Sequence, residues 1–147
     1  MESIRELMAE KHRRCDDYFV TAERAVASAN WDKASAEFEK FRDAMSRHFD
    51  VEENILFPAF EAHTGVFMGP TQVMRGEHKQ LRELMSVAEA ALAARDADDY
   101  SGTAETLLIM LQQHNMKEEN VLYPMCDQHL AEHLDVLLPQ LKNELIS

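Results

Sequence analysis

Two stretches of this chain, HFDVEENILFP (residues 48–58) and HNMKEENVLYP (residues 114–124), each set a glutamate four residues after a histidine: His48 with Glu52, and His114 with Glu118. Residues four apart lie one above the other on a helix, so each pair can approach a single ion. Another histidine stands 36 residues before each of these, His12 before His48 and His78 before His114. Neutral imidazoles and carboxylates in one set suit iron, manganese or zinc. A duplicated set implies two metals, with two glutamates placed to bridge them. Two histidines and two shared carboxylates give each ion four protein contacts, which leaves room for an oxygen bridge and an open position in an octahedral geometry. An open position points to exchangeable chemistry beyond a structural staple.

The elements that must position these groups follow from the same repeat. An offset of 66 residues pairs Met8 with Met74, His12 with His78, Cys15 with Leu81, Phe19 with Met85 and Val26 with Leu92 without a gap. Turn signals at 28–30, 64–70 and 96–102 leave helices predicted near 2–28, 31–62, 71–95 and 101–127, with a shorter one after Gln128. Asn30 and Asp96 suit the position before a helix, and Pro70 suits a first turn. Each half is then an antiparallel helix hairpin, and the fold class is all-α: an up-down-up-down four-helix bundle with a short C-terminal helix, in one domain over residues 1–147.

On the second helix the inward stripe reads Phe38, Phe41, Met45, His48, Glu52, Ile55; on the fourth it reads Ala104, Leu107, Leu111, His114, Glu118, Val121. His12 lies between Met8 and Cys15 on the first helix, and His78 between Met74 and Leu81 on the third. Four histidines and two carboxylates thus converge on the interior with no Lys or Arg on the same stripes. A buried uncompensated carboxylate costs several kcal/mol, on the order of 3–5, and cations in the core remove that cost.

Composition narrows the class further. The 147 residues are 46% hydrophobic and 29% charged, with only four Gly and four Pro. The net charge of -12 and the scattered Lys and Arg argue against nucleic acid or an anionic membrane as partner. No apolar stretch is long enough to span a bilayer, and no leader composition is present at the N-terminus, so a cytoplasmic protein is expected. Cys15 and Cys126 form no spacing motif and read as small buried hydrophobes. His63, His129 and His133 lie toward helix ends and read as solvent-facing, and Tyr18 and Tyr123 as core or rim residues near enough to the site to gate it.

The order His, His-x-x-x-Glu, His, His-x-x-x-Glu, with EENILFP and EENVLYP around it, resembles the hemerythrin-like (HHE cation-binding) family over nearly the whole chain. The resemblance implies a non-haem di-iron centre with an oxo or hydroxo bridge, ligated by His12, His48, Glu52, His78, His114 and Glu118. It also implies a diatomic partner such as dioxygen, bound, sensed or accompanied by iron storage; the alternative is an enzyme that reduces oxygen, peroxide or nitric oxide, or assists iron-sulfur centre repair. Repair members carry a further cysteine-bearing N-terminal domain, for which this chain has no room. The oxygen carriers of the family have an additional histidine one turn before the third-helix ligand, where this chain has Met74. Glu53 and Glu119, five residues after a histidine, are rival ligands, with the inward register favouring Glu52 and Glu118.

Overall fold

The computed structural model describes residues 2–146. Four long rods form the bundle. The first is α1 (Ile4–Ala27). The second runs through α2 (Trp31–Val51), a π-helical turn (Glu52–Leu56) and α3 (Phe57–Thr64). The third is α4 (Pro70–Ala93). The fourth runs through α5 (Ala97–Lys117), a second π-helical turn (Glu118–Leu122) and α6 (Tyr123–His129). A 3-10 turn (Ala131–His133) leads into α7 (Leu134–Ile146). α1 packs on α2 and α4 on α5 as hairpins, while α2 meets α4 and α1 meets α5. No helix of the described residues is long and apolar enough to cross a membrane.

The 66-residue repeat extends to the turns. Asn30 accepts a hydrogen bond from the backbone of Lys33 through its side chain, and Asp96 does the same for Asp99. Ahead of them Ala29 and Arg95 both take the left-handed conformation, each at φ 54°. The closing backbone bonds are likewise paired, Asn30 N to Ala25 O and Asp96 N to Ala91 O. At the far end of the bundle, Asp127 accepts from the backbone N–H groups of Ile4 and Arg5 at the start of α1. Glu61, its counterpart, accepts from the Thr71 hydroxyl and the Arg75 guanidinium at the start of α4, where Pro70 has no N–H to offer.

Two sequence expectations need correction. The fourth helix starts at Ala97, not 101: Asp98 and Asp99 occupy its first turn, where carboxylates are favoured by the helix dipole, and Tyr100 is buried. The inward stripe also does not continue to Ile55 and Val121. Val121 is 53% exposed, and Leu56, Phe57, Leu122 and Tyr123 take the inward places. The cause is the π turn, which closes a five-residue step from Glu52 O to Phe57 N and from Glu118 O to Tyr123 N. Pro58 and Pro124 follow immediately; neither can donate to the carbonyl four residues back, and the wider turn relieves the clash of their rings there.

The core is split in two layers. One holds Phe19, Phe38, Phe41, Met45, Phe49, Met85 and Leu107. The other holds Ile4, Met8, Leu56, Phe57, Phe60, Met74 and Leu122, and α7 closes it with Leu137, Leu138 and Leu141. Each such side chain contributes roughly 1.5–3 kcal/mol by leaving water. Between the layers lies a polar slab.

Candidate metal centre

His12, His48, Glu52, His78, His114 and Glu118 all meet in that slab, none more than 2% exposed. α1 and α4 bring His12 and His78, and the second and fourth rods bring the His-Glu pairs, just before each π turn. Glu52 Oε1 lies 3.6 Å from His48 Nε2 and 3.2 Å from His78 Nε2. Glu118 Oε1 lies 3.2 Å from His114 Nε2 and 3.4 Å from His12 Nε2. Each glutamate therefore stands between a histidine of its own half and one of the other. The ligand atoms of Glu52, His78, His114 and Glu118 lie within 4.8 Å of one another, as do those of His12, His48 and Glu118.

The donor set fits cations. Glu52 Oε1, His78 Nε2, His114 Nε2 and Glu118 Oε2 are buried without a hydrogen-bond partner, although they converge on one another. Buried polar atoms without partners are uncommon and costly, and ions between them would remove the cost.

Three of the four histidines are steered from behind. His12 Nδ1 donates to Glu119 Oε2 at 2.8 Å and His78 Nδ1 to Glu53 Oε2 at 2.6 Å, so the two rival glutamates grip ligand rings from outside. Both contacts cross from one half of the repeat to the other. Arg82 holds Glu53 from its other side. His114 Nδ1 donates to Glu77 Oε1 at 2.8 Å, and Lys117 holds the second oxygen of Glu77. An Nδ1 donor fixes the tautomer and leaves Nε2 free to ligate.

Burial pushes the pKa of His12 down, but hydrogen bonds to Glu118 and Glu119 outweigh it and lift the value to about 9. His78 is lifted to about 9 against burial by Glu52 and Glu53. His114 is raised against burial by Glu118. His48 goes the other way, held well below the usual value by burial and by the charge of His12. Glu52 rises to about 8 through burial and the facing Glu118, so the pair holds one proton.

Tyr123 was anticipated only as a core or rim residue, and the structure puts its hydroxyl in the centre. It donates to Glu52 Oε2 at 2.8 Å and lies 3.0 Å from Glu118 Oε1, 3.2 Å from His48 Nε2 and 3.3 Å from His12 Nε2. Its counterpart is Phe57, stacked 5.8 Å from His78, while Phe49 stacks on the same imidazole at 4.0 Å. One end of the centre is hydroxyl-bearing and the other aromatic and apolar. Met74 lies buried in the second core layer, as its counterpart Met8 does. Cys15 is buried, and burial pushes its thiol up to about 12, so it is not a reactive thiolate. His63 and His133 face each other at 5.2 Å on the exterior, outside the ligand groups among the described residues.

The sequence matches the family model of the Hemerythrin HHE cation binding domain over residues 3–126. Searches of curated proteins and of solved structures find no match.

Proposed function

Because the chain belongs to the hemerythrin HHE cation-binding family, we propose that it holds two iron ions in the polar slab and binds or senses dioxygen or a similar diatomic ligand there. The observation that carries this reading is the set of converging, partnerless ligand atoms of Glu52, His78, His114 and Glu118, doubled toward His12 and His48. His12 and His48 would hold one ion, His78 and His114 the other, and Glu52 and Glu118 would bridge them; manganese or zinc would suit the same donors. Bound iron supplies the redox and ligand-exchange chemistry that the side chains lack.

The protein's own groups do the rest. Glu53, Glu77 and Glu119 orient imidazoles through Nδ1. The two apolar layers keep water out, which strengthens every interaction inside. Phe49 and Phe57 give the His78 end an apolar wall suited to an uncharged diatomic molecule. The two cysteines are free and buried, which suits the reducing cytoplasm this reading assumes.

A second reading, an enzyme that reduces oxygen, peroxide or nitric oxide, is favoured by the Tyr123 hydroxyl, a proton donor held at the centre. The two are separated by loading the anaerobic protein with ferrous iron, adding oxygen, recording the visible spectrum and then removing the oxygen. Recovery of the ferrous spectrum supports reversible binding. Continuous consumption of oxygen or peroxide with a reductant supports the enzyme, and absence of any spectral response would leave the metals as a staple.

A further inference from the structure

His48 is the one ligand-set histidine with nothing behind it. Its Nε2 faces the centre, so its Nδ1 is turned outward, and that atom is buried with no hydrogen-bond partner. In the other half, the Glu77 carboxylate accepts from the equivalent His114 Nδ1. The residue in the place of Glu77 is Lys11.

His48 also lines a cavity of about 200 Å³ beside the centre, walled by Lys11, Arg14 and Arg47 and closed on its apolar side by Leu145 and Ile146 of α7. That is several times the share of about 30 Å³ that one liquid water occupies. No Asp or Glu lines it. None of the three cations is in an ion pair with a carboxylate among the described residues, although the chain carries 27 acidic residues against 15 basic ones. The equivalent positions in the other half are Glu77, Gln80 and Gln113. The repeat is thus broken in one direction here: a carboxylate has been removed and three positive charges have been gathered around the unmet donor.

We propose that this cavity binds a small carboxylate anion, which takes the hydrogen bond of His48 Nδ1 as Glu77 takes that of His114, and is held by Arg14, Arg47 and Lys11. Guanidinium groups match a carboxylate through paired N–H donors. The bound anion would orient the His48 ring and raise its basicity toward whatever Nε2 holds. Anion and metal would then raise each other's affinity by the same factor.

The test is calorimetric titration of sodium acetate into the full chain, as purified and zinc-loaded, in chloride-free buffer, with ¹H–¹⁵N histidine spectra recorded alongside. The expected result is saturable binding of one acetate, a downfield shift of the His48 Nδ1 proton, and binding weaker by about tenfold or more in Arg14→Gln/Arg47→Gln, each charge-assisted hydrogen bond accounting for a factor of that order. Lys11→Glu supplies the missing carboxylate from within, so acetate binding should disappear while the His48 proton stays downfield. The proposal is overturned by non-saturable binding, by equal binding in the double variant, by an unmoved His48 signal, or by inorganic phosphate binding where acetate does not. Titration of the protein as purified gives a result even if zinc fails to bind, so loss of the metal reading and loss of this one are told apart.

Discussion

At the scale of residues, Tyr123 and Phe57 occupy equivalent places, and one hydroxyl makes the two ends of the centre differ. Buried beside two carboxylates, the phenol is held well above its usual pKa by burial and by Glu118 and Glu52, so it donates a proton instead of offering a phenolate. Tyr123→Phe should therefore leave two metals per chain by elemental analysis. In denaturant titrations it should destabilise the metal-free protein by about 1–3 kcal/mol, the cost of leaving a buried charged acceptor without its donor. Loss of one metal would instead make Tyr123 a ligand. The four histidines and two glutamates could be picked out in the sequence because they interrupt otherwise apolar stripes. Tyr123 could not, since its side chain reaches the centre only through the π turn. Glu53 and Glu119 were visible as rivals, but whether a carboxylate touches an ion or the back of a ring depends on packing between halves, which spacing alone does not encode. Glu77 stood one position from His78 and carried no signal of its contact with His114.

At the scale of elements, the repeat and its caps were readable because Asn30, Asp96 and the flanking turns announce themselves by residue type. The π turns were not, because a 3.6-residue period carried through EENILFP and EENVLYP gives an unbroken stripe ending on Ile55 and Val121. Deleting Asn120 should return the fourth rod to α-helix, rotating all that follows by about 100° and drawing Leu122 and Tyr123 out of the core. A loss of at least about 3 kcal/mol in the unfolding free energy is expected, as for truncation of a large buried side chain. An unchanged midpoint would show that the π turn does not set the register. The turn residues offer a test of opposite sign. Ala29 and Arg95 hold φ 54°, where a side chain costs roughly 1–2 kcal/mol, so Ala29→Gly and Arg95→Gly should each stabilise by up to about 1 kcal/mol in the same titration. Two destabilised variants would contradict the strain.

For the whole molecule, a polar slab between two apolar layers ties stability to protons when metal is absent. His12 and His78 have folded pKa values of about 9 and Glu52 about 8, all above their unfolded values. The folded state then holds more protons than the unfolded one, so these groups stabilise fully below about pH 6.5 for the histidines and about 4.3 for the glutamate, and that stability is lost as pH rises toward 9. Thermal melts of the metal-free protein should fall by several degrees between pH 6.5 and 9. Metal affinity should move the other way, rising with pH, because ions compete with the same protons. The measurement that bears most directly on the two-metal centre is an anomalous difference map at the iron edge from crystals of the iron-loaded protein. The expected result is two peaks per chain, one against His12 and His48, the other against His78 and His114, both in contact with Glu52 and Glu118. A single peak, or peaks only at exterior sites such as His63 and His133, would contradict it.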